Sequence, residues 1–352
     1  MPGPNNVYKP KTTGFLIATI ALIMVVIVIL IATILIVAAG GDASVTTDPV
    51  NTNPPVHAWD TTITTTIPQT PITTPPTTTA PQFPSTIPGV VIPGADSLEM
   101  DISKVGQGAL VQIDKSHFYT RDGLVTRSEM NSTTATVLGF EWVKGSTYYQ
   151  KKISQLYLEA NTVEAFTEMM KALYEVTGTG IVQIRNAYYY DPAVTAVVDD
   201  NSLESVEHST GCFVDLEINN NGITPLNHPT YKVNYYDWLV ENCWKYGFVH
   251  QRDTANYSTF RYIGIAHAAA LHNEAGLSFE TYLTSLTAYK LDGDKKKVID
   301  SEGNEWWIYY HEADNSAQTV YVPVLGDPEH YQVSGDNKGG FIVAVNTAQF
   351  AK

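Results

Sequence analysis

Two residues in one ten-residue run, His208 and Asp215 of Val206-Glu207-His208-Ser209-Thr210-Gly211-Cys212-Phe213-Val214-Asp215, are of types that could share a chemical task. From Gly211 the order Cys-Phe-Val-Asp-Leu-Glu-Ile reads as a strand, with Phe213, Asp215 and Glu217 on one face and Cys212, Val214 and Leu216 on the other. A turn at Ser209-Thr210-Gly211 makes the segment a tight hairpin and brings the His208 and Asp215 side chains together. An imidazole nitrogen and a carboxylate oxygen so placed are ligands that zinc accepts. The same pair is equally an ordinary hydrogen-bonded surface pair, so the elements that position it decide.

The chain has 352 residues and a formal net charge of -15. No basic stripe is present to neutralise phosphates, which excludes nucleic acid as a partner. Two cysteines make neither a disulfide framework nor a cysteine-rich zinc module. They form one bond, Cys212 to Cys243, or remain two buried free thiols.

After a short tail, residues 1–14, the run from Phe15 to Ala39 is apolar but for Thr19 and Thr33. At ~1.5 Å rise per residue it reaches roughly 37 Å, more than the ~30 Å hydrocarbon core. Lys9 and Lys11 precede it and no basic residue follows closely, so the positive-inside rule places the N-terminus in the cytoplasm and the rest outside the cell membrane. Residues 40–94 are rich in Thr and Pro. Such a composition buries too little apolar surface to offset chain entropy and reads as an extended linker.

Residues 95–288 alternate helical and strand patterns. Gly108 to Ile113 reads as a first strand, and about 162–176 as an amphipathic helix with Val163, Phe166, Met170 and Leu173 inward, capped by Asn161 and closed by Gly178. Gly180–Arg185 is a second strand, about 234–246 a second helix, and an Ala-rich helix ends at Gly276. Ser278 caps a short helix running to about Leu286. Residues 289–352 form a β-rich extension, with strands at Glu305–Tyr310, Thr319–Val324 and Gly340–Val345 whose aromatics suit a packed sheet face. The fold class expected is α+β: an antiparallel sheet with helices on one side, plus the C-terminal β extension.

The segment from about 108 to 288 resembles the VanY-like D-alanyl-D-alanine carboxypeptidases, zinc peptidases that trim peptidoglycan stem peptides. Four landmarks carry the likeness, in the family's order: Val182-Gln183-Ile184-Arg185; Glu207-His208-Ser-Thr-Gly211 through Asp215; Trp238 to Phe248; and Phe260-Arg261-Tyr262-Ile263-Gly264 with His267-Ala268. The resemblance implies that His208 and Asp215 are metal ligands, that Arg185 grips the substrate's terminal carboxylate, and that the sheet follows the family's order.

The departures fall on the reacting groups. Where the family has Glu-x-Trp-His, supplying the general base and the third zinc ligand, this chain reads Asn256-Tyr257-Ser258-Thr259. Val182 and Tyr190 or Asp191 replace the family's serine and glutamine near the arginine. Catalytic zinc needs three protein ligands and an open position for water, and His208 with Asp215 alone would hold it weakly or not at all. Loss of a general base costs typically 10²- to 10⁴-fold in rate. The expectation is a surface protein of the cell wall that keeps the peptidase scaffold, binds a peptidoglycan stem peptide or similar peptide through Arg185, and has no working catalytic residue. Two alternatives stand beside it. One is an active zinc D,D-carboxypeptidase with a rebuilt site, using His250 as third ligand and Glu207, Glu217 or Asp253 as base. The other is a structural or adhesive domain whose cleft is filled, for instance by Tyr188-Tyr189-Tyr190.

Overall fold

The computed structural model describes residues 95–350 apart from 120, 195, 221 and 275. The expected membrane span at Phe15–Ala39 and the linker lie outside these residues. Among the described residues no helix is long and apolar enough to cross a membrane.

In chain order the strands are β1 (Ala95–Asp101), β2 (Phe140–Trp142), β3 (Gln150–Lys151), β4 (Tyr157–Glu159), β5 (Val182–Asn186), β6 (Phe213–Asn219), β7 (Ile223–Pro225), β8 (Phe248–Asp253), β9 (Ser258–Tyr262), β10 (Lys296–Ile299), β11 (Glu305–Glu312), β12 (Thr319–Leu325), β13 (Tyr331–Gly335) and β14 (Gly340–Asn346). The α-helices are α1 (Ser132–Val137), α2 (Ala160–Thr177), α3 (Asp200–Ser209), α4 (Asp237–Asn242), α5 (Ile265–Asn273) and α6 (Phe279–Leu286).

The central sheet has the order β3-β5-β6-β9-β8, with β7 pairing the far end of β6. Every pairing in it is antiparallel except β3 with β5. Strand β6 alternates as its sequence dictates: Val214, Leu216 and Ile218 join the core that Phe166, Met170 and Leu173 of α2 complete, while Asp215 and Glu217 point the other way. Helix α3 reaches that second face, where His208 meets Asp215. Helices therefore lie on both faces of the sheet, not on one as expected, because the polar face of β6 has its own helical partner.

Three local expectations are corrected. Helix α2 is capped by Glu159, whose carboxylate accepts from the Thr162 amide at 3.2 Å, and not by Asn161. Glu159 ends β4 in an extended conformation, the backbone state an N-cap needs. Its closing residue is as expected, Gly178 at φ 71°. Residues 108–113 form no strand, because side chains take up part of their hydrogen bonding: Arg261 donates to the Ala109 and Val111 carbonyls, and Ser334 Oγ accepts from the Leu110 amide. Residues 206–215 are no hairpin either, as described below.

The β extension is an antiparallel sheet, β10-β11-β14-β13, with β1 and β12 paired as a ribbon. Its aromatic run packs inward: Trp306, Ile308 and Tyr310 share a core with the alanines of α5 and with Tyr282, Leu283 and Leu286 of α6. The first described strand, β1, thus pairs with a strand more than two hundred residues later, and residues 95–350 belong to one compact unit.

Cys212 and Cys243 are free and buried, and burial pushes both thiols up to about 12. A thiolate is the reactive form, so the native chain should react with no equivalents of a thiol reagent at pH 8 and with two after denaturation. A fast-reacting thiol in the native protein would contradict this burial.

Candidate functional site

His208 sits in the last turn of α3, a helix begun by a capping box in which Asp199 accepts from the Ser202 amide and Ser202 Oγ meets the Asp199 backbone. The helix ends at Thr210, and Gly211 turns the chain into β6 at φ 76°. A left-handed glycine just past a helix is the usual stop. Here the glycine also permits close approach, since a Cβ would strike the Phe140 ring and lie 2.8 Å from the Glu159 nitrogen. His208 and Asp215 do meet, as expected, but through a helix, a glycine stop and a strand.

Strand register supplies the rest. Asn186 on β5 and Thr259 on β9 both stand directly opposite Asp215. Thr259 Oγ1 donates to Asp215 Oδ1 at 2.8 Å, and Asn186 Nδ2 to Oδ2 at 3.2 Å. The position at which the resemblance puts a third ligand therefore adjoins Asp215, with a hydroxyl that orients the carboxylate.

His208 Nδ1 lies 2.8 Å from the Glu204 carbonyl. A carbonyl only accepts, so Nδ1 carries the hydrogen and Nε2 faces Asp215. The Nε2–Oδ2 distance is 3.1 Å, yet the approach is too oblique for a hydrogen bond and Nε2 has no partner. Burial opposes a charge on His208, but the Asp215 and Glu204 carboxylates outweigh it and hold the imidazole above its ordinary pKa. Burial likewise opposes a charge on Asp215, and His208, Thr259 and Asn186 together hold it below the usual carboxylate range.

The sequence reading missed Glu204. Its carboxylate, His208 and Asp215 place three ligand-type atoms within 4.8 Å of one another. Glu204 Oε2 accepts from Tyr257 Oη at 2.8 Å. The signal was available: Glu204 and His208 are four apart, hence on one face of a helix. Reading the segment as a hairpin hid it. Glu204 thus stands beside the two residues that the sequence singles out.

Arg185 lies at an irregularity in β5, between Ile184 and Asn186, where the register with β6 shifts. Such bulges re-aim side chains. Its Nη1 donates to Glu217 Oε2 at 2.9 Å, its guanidinium lies 5.2 Å from the Tyr257 ring centre, and its side chain is 23% exposed. Glu217, almost fully buried, also holds Lys152 at 2.9 Å.

The other candidate acids and His250 are engaged. Glu207 pairs with Arg252, Asp253 accepts from Ser258 and Tyr236, and His250 Nε2 faces Asp253 at 3.1 Å. Among the described residues, His250 does not join the His208–Asp215 donor group. Asn256 is exposed at the tip of the β8–β9 hairpin, where the Thr254 hydroxyl accepts from its amide. Tyr188 is buried with its hydroxyl on the Val125 carbonyl, and Tyr189 is exposed with the Arg127 guanidinium over its ring. A cavity of about 480 Å³ bounded by Gly108, Tyr262, His267 and Gln332 contains neither the donor group nor Arg185.

The structure matches that of the vancomycin resistance D,D-dipeptidase VanXYg, solved in complex with a D-Ala-D-Ala phosphinate analogue, with a TM-score of 0.53 at 18% identity over 72% of this chain and 99% of that one. The fold is that of a VanY-like D,D-peptidase. The LdcB LD-carboxypeptidase, whose structure addresses peptidoglycan recognition, also aligns, with a TM-score of 0.31 at 17% identity over 42% of this chain and 77% of that one. No family model and no curated protein matches the chain. In this peptidase fold, Arg185 lies on β5, Asp215 on the adjoining strand β6, and His208 on the helix that feeds β6.

Proposed function

We propose that this peptidase-fold domain recognises peptides with a free terminal carboxylate, the peptidoglycan stem peptide foremost, and does not hydrolyse them. The observation that carries the reading is the β8–β9 hairpin: the position expected to supply the general base is Asn256, exposed at its tip. An amide takes no proton at neutral pH, so water near the donor group would lack the base that the family pattern places on this hairpin.

Arg185 supports the binding half. One guanidinium nitrogen is held by Glu217, and among the described residues that carboxylate is its only hydrogen-bond acceptor. The remaining donors suit a carboxylate, which arginine recognises through paired hydrogen bonds. His208 and Asp215 would hold zinc in the way the family resemblance implies. Such an ion supplies Lewis acidity towards a carbonyl oxygen. The apolar run at Phe15–Ala39 and the linker after it would carry the domain outside the cell membrane.

Titration calorimetry of the whole chain in detergent with a D-Ala-D-Ala peptide should show binding that Arg185→Ala weakens at least tenfold, with no D-alanine released in overnight incubation. A silent titration at millimolar peptide would remove the binding claim. Release of D-alanine, abolished by Glu204→Gln, would favour the second reading, an active peptidase, which the nearness of Glu204 to His208 and Asp215 supports.

A further inference from the structure

The donor group has a feature that the family pattern does not supply. The side chain of His208 is 2% exposed, its tautomer is set by the Glu204 carbonyl, and its Nε2 is a buried polar atom without a hydrogen-bond partner. Buried polar atoms are nearly always satisfied, so an orphan calls for an explanation such as an absent ion. Two ligands on one ion bound at about 2.0–2.2 Å stand roughly 3.4 Å apart in tetrahedral geometry. The 3.1 Å from His208 Nε2 to Asp215 Oδ2 is close to that spacing. We infer that Glu204 is the third protein ligand of a divalent cation held with His208 Nε2 and Asp215 Oδ2, a role moved from strand β9 to helix α3.

The supporting contacts fit. Each ligand is oriented by a neutral group: His208 by the Glu204 carbonyl, Asp215 by Thr259 on its other oxygen, and Glu204 by the Tyr257 hydroxyl. Outer hydrogen bonds of this kind fix ligand direction and are worth 10- to 100-fold in metal affinity. Glu204 is only partly buried, and its carboxylate already lies within 4.8 Å of the other two ligand atoms. Thr259 is displaced from the role without being idle.

Moving the third ligand changes the donor chemistry. The family pattern would give two imidazoles and one carboxylate, whereas this site offers one imidazole and two carboxylates. Carboxylate oxygens suit harder ions such as manganese, and imidazole suits zinc. The preference for zinc over manganese should therefore be narrower here than in a variant carrying the second imidazole.

This inference rests on the metal half of the proposed function and is tested apart from peptide binding, which is measured with chelator present. Zinc and manganese are titrated into the chelator-stripped whole chain, with bound metal counted by mass spectrometry. The expected result is one zinc per chain, a loss of affinity of at least tenfold in Glu204→Gln, and recovery to within about threefold in Glu204→Gln/Thr259→His. That double variant should also raise the zinc-to-manganese affinity ratio at least tenfold. Should Glu204→Gln fold poorly by circular dichroism, Tyr257→Phe serves instead, with an expected loss of at least about tenfold and an unchanged spectrum. Wild-type affinity in Glu204→Gln, or in a folded Tyr257→Phe, would overturn the inference. A wild-type chain that binds no metal would overturn it as well, while leaving peptide recognition by Arg185 standing.

Discussion

Gly211→Ala should lower the melting temperature by about 10 °C and abolish metal binding. The left-handed conformation at φ 76° costs an alanine about 1–2 kcal/mol. The added methyl also meets the Phe140 ring and, at 2.8 Å, the Glu159 nitrogen, and overpacking of this kind typically costs about 1–3 kcal/mol. Neither neighbour yields easily: Phe140 is buried against Tyr188, and the Glu159 amide donates to the Gly211 carbonyl at 2.9 Å. At ~2–4 °C per kcal/mol for a domain of this size, the sum gives the stated shift. Gly178→Ala provides the control. Gly178 has nearly the same φ, 71°, but nothing lies within 4 Å of its added carbon, so only the conformational part should remain. Calorimetry decides: equal shifts in the two variants would show that close packing at Gly211 does not matter. Because Gly211 sets how His208 on α3 faces Asp215 on β6, its displacement should also abolish the metal binding proposed above.

The second large effect is a loss of stability in acid that depends on His267. Burial alone drives this imidazole down to about 3, and its Nδ1 is held by Tyr282 Oη at 2.7 Å. The folded state keeps the ring neutral where the unfolded chain, titrating near 6.5, takes up a proton. The unfolded state then binds more protons, so stability falls as pH drops below about 6.5, and the loss continues to about 3. Each pH unit inside that window is worth about 1.4 kcal/mol, or roughly 3 kcal/mol between pH 6.5 and 4. His208 acts in the opposite sense, since its raised pKa contributes stability at low pH that is lost as pH rises through the folded value. The comparison must therefore be between the wild type and His267→Gln, which retains a partner for Tyr282. Urea unfolding at pH 7, 6, 5 and 4 should show the variant's deficit shrinking with acidification. Parallel curves would mean that His267 is accessible to protons in the folded state.

Sequence information reaches structure unevenly in this chain. Gly211 was legible as a turn, but the same signal supported a hairpin and a helix stop, and the hairpin was the wrong choice. Three residues, Ser209-Thr210-Gly211, do not reveal what precedes them; the capping box at Asp199 and Ser202 does. Once the segment is a helix, Glu204 falls beside His208 and the donor group gains a member. Helix α2, the Gly178 stop, the Ser278 cap and the C-terminal strands were readable because amphipathic period and capping chemistry are local. The strand expected at 108–113 failed because its carbonyls go to Arg261, a residue about one hundred and fifty positions away.

The sequence by itself determined which chemistry was in play: one imidazole and one carboxylate at His208 and Asp215, an arginine at 185, and asparagine and threonine at 256 and 259. Side-chain identity is set by the chain alone, so the absence of the family's glutamate from position 256 needed no coordinates to be recognised. Only the tertiary structure decided which groups share a site. Placing Asn186, Asp215 and Thr259 abreast requires three strands in register, and bringing Glu204 to them requires a helix docked on the polar face of β6. Those contacts join residues far apart along the chain, and pairing over such distances is fixed by packing and strand register rather than by any local pattern.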